Sequence, residues 1–513
     1  MDSNNTAFLG HPKGLFFLFF AELWERFSFY GMRALLTLYM TKQLLFSDDM
    51  SFGIYAAYMS LVYVTPVIGG VVADKILGFR RAIILGGVMM AFGHFFLAIE
   101  SPIFFYSSLA LIIVGNGFFK PNISTFVGTL YDKKDPRRDA GFTIFYMGIN
   151  VGGAVAPLLC AWLAESYGWH YGFGLAGIGM LVGLFYFQRG IGQNVFGENG
   201  KLPAPDTFYQ KKFGLHQGQQ VTLLSILAVP VFALLIRFYE YEHFLIYIVS
   251  IAIIAYILYL ARTLNATERS RIFVAVYFTF LATLFWAIFE QAGSSLTLFA
   301  DRNVNLIGIN AAQTNSINST FIILLAVPFS LLWTWLSQRN INPNSAAKFG
   351  IGLFLLGVGF VIFGASAQSV DQFAQTPMFY LFFGYFVLTV GELFLSPIGI
   401  SKMTELSPAK YAAFIMGIWF SSSFFGHYFA GQIAQLTSVE AGQTNVFSTG
   451  FWGETVETIT GLSAASISTM DEGFQQLYSY VSVYASFGVM LMGIGVIAVL
   501  ISPIIVRLMA GVK

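Results

Sequence analysis

The chain has few charged residues and almost no cysteine. Only 10% of its 513 residues are Asp, Glu, Lys or Arg, whereas 56% are hydrophobic. A soluble globular protein carries about 25% charged residues, and no soluble fold could bury so large an apolar excess. The composition therefore predicts a membrane protein. Its single cysteine, Cys160, excludes a disulfide framework and any multi-cysteine metal site.

Histidine is scarce and the net charge is small. The six histidines are scattered singly, without the spacing of metal ligands. A formal net charge of +1 leaves no basic surface that would attract a nucleic acid. We therefore expect no metal site and no nucleic-acid partner.

Long apolar runs, by contrast, recur from one end of the chain to the other. A helix needs about 20 apolar residues to cross the hydrocarbon core, and runs of this length predict an all-α membrane protein with about fourteen transmembrane helices. The expected helices cover residues 14–42, 50–73, 80–99, 102–130, 140–166, 170–189, 220–238, 243–262, 271–300, 310–337, 346–367, 376–405, 411–436 and 475–508.

Lysine and arginine are concentrated in alternate connecting segments, which the positive-inside rule places in the cytoplasm. The cytoplasmic segments would carry Lys75, Arg80 and Arg81; Lys133, Lys134, Arg137 and Arg138; Lys201, Lys211 and Lys212; Arg262, Arg269 and Arg271; Arg339 and Lys348; and Lys402 and Lys410. The stretch from Tyr411 to Val506 contains neither lysine nor arginine, and its acidic loop is expected outside. That loop bears Glu440, Glu454, Glu457, Asp471 and Glu472. Both termini are then predicted to be cytoplasmic.

The two halves of the chain share short motifs in the same order. VGNGFFKP at 114–121 resembles VGELFLSP at 390–397, and FYMGIN at 145–150 resembles FIMGIW at 414–419. Internal repeats of this kind are typical of secondary transporters, whose substrate binds near the midplane between the repeats. The repeat predicts two six-helix bundles. The expected parts are an N-terminal bundle over 1–190, a cytoplasmic linker over 191–219, an inserted hairpin over 220–262 and a C-terminal bundle over 263–513.

Several ionisable residues lie inside the predicted helices, where each charge costs about 2.5–3.5 kcal/mol. At about 100° per residue, Glu22, Glu25, Arg26, Tyr30 and Arg33 fall on one face of the first helix. These residues could serve transport, or they could form ion pairs that only hold neighbouring helices together. The other intramembrane charges are Lys120, Glu290 and Glu392. Instead of serving transport, Lys120 could snorkel to the membrane surface, and Glu290 could make a structural hydrogen bond.

The intramembrane charges differ in sign between the halves. The first half has three cations and two carboxylates, a balance of +1, and the second half has two carboxylates, a balance of −2. A cavity with one cationic and one anionic wall suits a zwitterion, and the unpaired carboxylate is expected to take up a proton. The charge balance therefore predicts a proton-coupled transporter of a zwitterionic substrate.

These motifs resemble those of the proton-dependent oligopeptide transporter family, within the major facilitator superfamily. The resemblance spans both halves. It rests on ELWERF at 22–27, GNGFFKPN at 115–122, RRDAGFTIFYMGINVGG at 137–153, FEQAGS, GELFLSPIG and MGIWF. GGVVADKILGFRR at 69–81 resembles the superfamily's loop after the second helix. The inserted hairpin resembles that of bacterial members, which implies a protein of the inner (cytoplasmic) membrane.

The resemblance implies a symporter of di- and tripeptides that is driven by the proton gradient and needs no cofactor. The sequence does not give the oligomeric state, and we expect the monomer to be functional. Arg33 and Lys120 would hold the peptide carboxylate, and Asn150, Asn318 and Glu392 its amino group. Proton coupling would rest on Glu22, Glu25, Arg26, Lys120 and Glu290. Lining residues would be Tyr30, Tyr63, Tyr146 and Ser396, with Trp286, Trp419 and Phe420 in side-chain pockets. Asp74, Arg80 and Arg81 would form a gating latch. Phe29 stands where many members have a tyrosine.

Other functions remain open on the sequence. The substrate could be another small zwitterion or an anion such as nitrate, although the retained ELWERF motif and Glu392 favour peptides. A channel is disfavoured by the repeat and by opposite charges that would retain ions. An enzyme is disfavoured because the sequence has no HExxH motif and no clustered His or Cys. Trp286, Trp419, Phe420 and Asn318 could instead serve packing or structural hydrogen bonds.

Overall fold

The computed structural model describes most of the chain and is almost wholly helical, as the sequence predicts. The described residues are 8–99, 101–132, 134–212, 214–407, 411–438, 445–467 and 469–512, without the side chains of Ser396, Pro397, Ile400, Ala412 and Ala413. Two short β-pairings occur there. β1 (Lys211–Lys212) pairs antiparallel with β2 (Leu215–His216), and β3 (Val304–Asn305) pairs parallel with β4 (Thr376–Pro377).

The first half of the chain folds into eight α-helices within the described residues, seven of them long. They are α1 (Lys13–Lys42), α2 (Asp48–Val72), α3 (Gly78–Leu97), α4 (Pro102–Gly128), α5 (Arg138–Tyr167), α6 (Trp169–Gly192), the single turn α7 (Pro205–Phe208) and α8 (Gln217–Arg237). Their bounds agree with the predicted ranges to within a few residues, because each apolar run must satisfy its backbone hydrogen bonds within the helix.

The second half contributes ten more helices to the described part of the chain. They are α9 (Glu242–Thr263), α10 (Ala266–Phe289), α11 (Ser295–Asn303), α12 (Ser316–Gln338), α13 (Ser345–Ala365), α14 (Met378–Leu406), α15 (Ala412–Gln435), α16 (Gly450–Thr460), α17 (Ala464–Ile467) and α18 (Glu472–Leu508). The two helices of the predicted hairpin are α8 and α9.

Eleven described helical stretches are long and apolar enough to cross a membrane. α2 and α3 count as one of these stretches, and α1, which carries four charged residues within Glu22–Arg33, is not among them. The figure of about fourteen crossings therefore stays a prediction.

The packing divides the chain into two compact units. The first comprises residues up to Tyr39 together with Leu61–Tyr239, and the second comprises Met40–Ser60 with Glu240 onwards. The second unit thus contains the end of α1, the start of α2 and the connection between them. The boundaries predicted from the repeat stay a prediction.

Three local features differ from the sequence expectations. Residues Ala73–Leu77 form a π-helical turn that joins α2 to α3, so the expected gating residue Asp74 lies in a helical turn and not in a loop. The expected helix 271–300 is broken by a 3-10 turn at Glu290–Gly293, because polar side chains there compete for the backbone groups. The expected acidic outer loop contains α16, and its residue Glu440 lies outside the described residues.

Glycines allow the same close helix contact in each unit. A Cβ on Gly115 of α4 would lie 2.6 Å from the carbonyl oxygen of Gly86 on α3. A Cβ on Gly391 of α14 would lie 2.8 Å from the carbonyl oxygen of Gly352 on α13. Small residues permit such approach of helices in membranes. Gly115 and Gly391 occupy the same position of the repeated motif, so the repeat extends to helix packing.

Candidate functional site

The first unit buries a cluster of ion pairs on α1. Arg26 Nη2 donates to Glu25 Oε1 at 2.5 Å, Arg26 Nε also binds Glu25 Oε2, and Arg26 Nε lies 3.3 Å from Glu22 Oε1. All three residues are at most 2% exposed. Glu22 Oε2 is buried with no hydrogen-bond partner among the described residues. Glu25 therefore binds the guanidinium with two oxygens, and Glu22 holds it less firmly with one.

α4 supplies a polar neighbour for this cluster. Asn116 Oδ1 accepts a hydrogen bond from Arg26 Nη2 at 3.5 Å, while Asn116 Nδ2 donates to the carbonyl oxygen of Val62 at 3.1 Å. A Cβ on Gly152 of α5 would lie 2.6 Å from the carbonyl oxygen of Leu23. The arginine is thus enclosed by α1, α4 and α5, which fixes its position.

Lys120 lies one turn after Asn116 on α4. Its Nζ lies 4.3 Å from the ring centroid of Tyr63, a cation–π contact. Within the described part of the chain no carboxylate forms an ion pair with it. Arg33 on α1 stands 6.0 Å from the ring of Tyr30. The first unit therefore combines a tightly paired arginine with a lysine that no carboxylate neutralises.

The second unit buries a carboxylate that is held by neutral partners. Glu392 on α14 is 8% exposed, and its Oε2 accepts a hydrogen bond from Asn318 Nδ2 of α12 at 2.9 Å. Asn318 Nδ2 also donates to Thr389 Oγ1 at 3.0 Å, and Thr389 donates to the carbonyl oxygen of Tyr385. A carboxylate fixed in this way can still accept from an ammonium group, because it has further lone pairs.

Glu290 lies at the break after α10, where α15 approaches. The carboxylate is 5% exposed, and its Oε2 is 3.8 Å from Nδ1 of His427. The adjacent Gln291 Nε2 donates to the carbonyl oxygens of Ala287 and Ala430. Side-chain hydrogen bonds therefore hold the two helices together beside Glu290.

Ion pairs hold the α1–α2 connection within the second unit. Arg302 at the end of α11 donates to both carboxylate oxygens of Asp48, at 2.5 and 2.8 Å, and to Tyr480 Oη at 3.1 Å. Lys42 Nζ lies 2.5 Å from Asp301 Oδ1. Since bidentate arginine–carboxylate pairs are among the stronger ones, this connection is firmly attached to α11.

The predicted gating residues contact the linker instead of one another. Arg80 donates to the carbonyl oxygens of Gly197 and Asn199 at 2.5 and 2.8 Å, and Arg81 donates to Tyr209 Oη at 2.9 Å. Asp74 is exposed, and no ion pair joins it to either arginine among the described residues.

The backbone at the start of α3 makes room for the linker. Gly78 has φ +68°, and a Cβ there would lie 2.3 Å from the carbonyl oxygen of Lys201. Only glycine fits both conditions. In the same segment, a hydrogen bond from Lys201 lowers the pKa of the exposed Glu198 carboxyl. The linker thus follows a defined path over the α2–α3 junction.

The chain matches known transporters over most of its length. A family model described as the POT family matches residues 80–450. The chain is 38% identical over 444 residues to the uncharacterized transporter YclF of Bacillus subtilis, covering 84% of this chain and 89% of the relative. It is 37% identical over 477 residues to the peptide transporter YePEPT of Yersinia enterocolitica, covering 88% and 93%.

The chain belongs to the POT family. The crystal structure of a peptide transporter POT in complex with sulfate superimposes with a TM-score of 0.79 at 33% identity, covering 99% of this chain and 98% of that one. The fold is therefore the major facilitator fold of POT transporters, and the expected family and fold class are confirmed.

The predicted polar residues of this POT protein form two groups. The structure brings together Glu22, Glu25 and Arg26, and it places Tyr30, Arg33, Tyr63 and Lys120 in the same unit. It also brings together Asn318 and Glu392. Asn150 Nδ2 donates to the carbonyl oxygen of Tyr146 in its own helix at 3.1 Å. The side chain of Ser396 lies outside those described. The roles of these residues in transport stay predictions.

The predicted aromatic residues of this POT protein differ in exposure. Trp419 is 6% exposed and packs against Phe349, with ring centroids 6.2 Å apart. Trp286 is half-buried and lies beside Gly426, whose Cβ would be 2.7 Å from that of the tryptophan. Tyr146 and Phe420 are each 49% exposed. Packing therefore accounts for the position of Trp419, and its predicted side-chain pocket stays a prediction.

Two residues of the polar groups were not predicted from the sequence. Asn116 was not singled out because an amide costs far less in a membrane helix than a charge. Its spacing of four residues before Lys120 would have placed both side chains on one helix face. His427 was regarded only as an isolated histidine, and nothing in its local sequence indicates Glu290, which is 137 residues earlier in the chain.

Proposed function

We propose that this chain is a symporter that moves di- and tripeptides into the cell together with protons. The observation that carries the proposal is the chemistry of two polar groups. The first unit holds Arg33 and Lys120, and no described carboxylate forms an ion pair with Lys120; the second unit holds the buried Glu392 with Asn318. A zwitterionic peptide has a carboxylate that suits the cationic group and an ammonium that suits the anionic one. Membership of the POT family and the similarity to named peptide transporters support this substrate class.

The chemistry of the two groups would give low selectivity among peptides. Every unmodified peptide has a carboxylate, which Lys120 and Arg33 would bind, and an ammonium group, which would donate to Glu392. Asn150, Tyr30, Tyr63, Tyr146 and Ser396 would line the site, and Trp286, Trp419 and Phe420 would contact side chains. Specificity would then depend on the peptide ends, because apolar pockets discriminate weakly between side chains.

Glu22 is our candidate for the first proton acceptor. Its Oε2 is buried and has no hydrogen-bond partner among the described residues, whereas Glu25 holds Arg26 with both oxygens. A buried carboxylate charge is costly, and a proton on Glu22 would neutralise that charge while leaving the Glu25–Arg26 pair intact. When Glu22 is protonated, Arg26 loses one of its two carboxylate partners, and the electrostatic potential at Lys120 changes. This change would couple proton uptake to substrate binding. Glu290 would complete the coupling set.

Alternating access would use the ion pairs of the α1–α2 connection. α1 and α2 each pass from the first unit into the second, and Arg302 and Asp301 attach their connection to α11. These pairs hold the connection to α11 within the second unit. We propose that they stabilise one conformational state, and that Asp74, Arg80, Arg81 and the linker do so on the cytoplasmic side.

The remaining features of the proposal concern location and assembly. We place the protein in the inner membrane of a bacterial cell, with both termini in the cytoplasm, on the basis of the lysine and arginine distribution. The transporter would be functional as a monomer. It would use the proton gradient alone, without a cofactor.

Uptake of labelled dialanine into proteoliposomes tests the proposal. We expect accumulation above the external concentration when the lumen is alkaline, and only equilibration when there is no pH gradient. Unlabelled trialanine should compete with the label, and nitrate at the same concentration should not. Competition by nitrate but not by trialanine would favour an anion transporter, and an ohmic current without accumulation would favour a channel.

A further inference from the structure

The second unit contains a cavity that the proposed transport site does not use. It has a volume of about 530 Å³ and lies where the first turn of α13 meets the ends of α14 and α18. The residues that line it include Asn344, Ser345, Lys348 and Lys402. Two are lysines, and among the described lining residues none is acidic. The cavity is therefore electropositive.

Lys348 is unusual among these residues because its charged side chain is buried. It is 9% exposed, and its Nζ lies 3.9 Å from the ring centroid of Trp333. Within the described part of the chain its side chain makes no ion pair and no hydrogen bond. Lys402, in contrast, lies 2.6 Å from Glu405 Oε2. A buried ammonium that contacts only an aromatic ring is costly, and an anion in the cavity would reduce that cost.

The start of α13 adds to the positive potential. Asn344 caps this 21-residue helix by accepting from the backbone N–H of Ala347 at 2.8 Å, and both Asn344 and Ser345 line the cavity. The first turn of a helix presents backbone N–H groups and the positive end of the helix dipole. The site thus combines a helix N-terminus with a buried lysine, which is a suitable environment for an oxyanion.

We propose that this cavity binds a phosphate group, supplied by an anionic phospholipid. Lys348 would donate to the phosphate oxygens, with Lys402 and the start of α13 as further partners. Ile398, Val506, Met509 and Val512 give the cavity an apolar side that suits the glycerol and the upper acyl chain. The cationic helix ends that line it belong to segments predicted to be cytoplasmic, and basic pockets between helices at this level are suited to lipid headgroups.

Binding can be measured on the purified full-length protein in a neutral detergent. The midpoint of thermal unfolding is followed while dioctanoyl phosphatidylglycerol, dioctanoyl phosphatidylcholine or inorganic phosphate is titrated. We expect phosphatidylglycerol to raise the midpoint in a saturable way and phosphatidylcholine, which has the same chains but no net charge, to have a much smaller effect. The variants are Lys348→Met, Lys348→Arg and Lys402→Met, with Lys211→Met, an exposed lysine of β1, as the control.

The variants separate charge from packing. Lys348→Met should raise the Kd for phosphatidylglycerol at least about tenfold, because a charge-assisted contact is lost, while Lys348→Arg and the control keep it near the wild-type value. Lys402→Met should have a smaller effect, about two- to fourfold, because Glu405 already neutralises that lysine. Without ligand, Lys348→Met should be at least as stable as the wild type, so a folding defect would not be mistaken for lost binding.

Each outcome bears directly on the proposal. A midpoint shift with the lipid alone that Lys348→Met abolishes supports the lipid site. A shift with inorganic phosphate that the same variant abolishes, and none with the lipid, supports the phosphate site but reassigns it to a soluble anion. No shift with either ligand, or an equal shift in Lys348→Met, would overturn the proposal. Dialanine uptake is measured in parallel, since the site does not depend on the transport function.

Discussion

α4 of the first unit and α14 of the second carry the same short motif but opposite chemistry. VGNGFFKP and VGELFLSP pair Gly115 with Gly391, and both glycines allow close contact with the preceding long helix. The next positions pair Asn116 with Glu392. Asn116 accepts from the charged Arg26, whereas Glu392 accepts from the neutral Asn318.

The comparison indicates how a duplicated bundle can acquire a site for a zwitterion. The packing positions of the motif are kept, and the charge is changed one residue later. In the first unit the acceptor is neutral and its partner is a cation, and in the second the acceptor is charged and its partner is neutral. The motif therefore keeps a neutral acceptor in the first unit and a charged acceptor in the second. The predictions below test whether this difference governs transport.

The largest effect is expected when the cation of the first unit is removed. Lys120→Ala should reduce proton-driven uptake of dialanine to the level of empty liposomes, because its ammonium lies inside a membrane helix and no described carboxylate forms an ion pair with it. Uptake of labelled peptide under an imposed pH gradient measures this. Lys211→Ala, at an exposed lysine, should behave as the wild type; accumulation by Lys120→Ala at the wild-type rate would remove Lys120 from the mechanism.

The carboxylates of α1 should affect coupling more than binding. The double variant Glu22→Gln with Glu25→Gln should lose uphill uptake but keep exchange of internal for external peptide, since neither side chain can release a proton. The single variant Glu25→Gln disrupts the bidentate pair with Arg26, whereas Glu22→Gln leaves that pair in place. Glu22→Gln should therefore lose uphill uptake with less loss of stability than Glu25→Gln. Uphill uptake by the double variant would locate proton coupling elsewhere.

The carboxylate of the second unit should act on one end of the peptide. Glu392→Gln keeps the hydrogen bond with Asn318 but removes the charge that an ammonium group requires. We expect the KM for dialanine to rise about tenfold, equivalent to about 1.4 kcal/mol, and the inhibition constant of N-acetyl-dialanine to change little. Glu457→Gln, at an exposed residue of α16, is the control. Equal losses for the free and the acetylated peptide would contradict the assignment of Glu392 to the amino group.

Much of this arrangement could be predicted from the sequence, and the exceptions have physical causes. The long helices were predicted because apolar length alone determines what can cross a bilayer. The polar face of α1 was predicted because charges inside a membrane helix are costly and therefore conspicuous, and because helical spacing places them on one side. The break at Glu290 was not predicted, since the sequence does not show that Gln291 beside it donates to the carbonyl oxygen of Ala430 on a distant helix.

Partners that are distant in sequence were also beyond prediction. Arg80 and Arg81 were expected to belong to a gating latch, and the sequence did not indicate that their donors reach the linker more than 110 residues later. Lys348 was counted only as a loop cation for orientation, whereas it is buried against Trp333. In both cases the residue type indicated a charge that needs a partner, and only the tertiary fold specifies which partner it finds.

The smallest effect is expected from testing the packing that the two motifs share. Gly115→Ala and Gly391→Ala should each lower stability by about 1–3 kcal/mol, the usual cost of overpacking. Gly115→Ala should be the worse of the two, because its Cβ would lie within 3 Å of three atoms on α3, whereas that of Gly391 would meet one atom at this distance. Unfolding midpoints of the purified variants in detergent measure the difference.

Each unit offers a matched control for this comparison. Gly174 on α6 and Gly493 on α18 are helical glycines at which an added Cβ would meet no atom within 4 Å, so alanine there should be neutral or slightly stabilising. If Gly115→Ala and Gly391→Ala are as stable as these controls, the shared glycines are not packing positions. The two motifs would then be similar in sequence but would not share a packing role. If both are destabilised while dialanine uptake per folded molecule is unchanged, the motif keeps its packing role in both units and leaves the charge difference at Asn116 and Glu392 to determine the substrate.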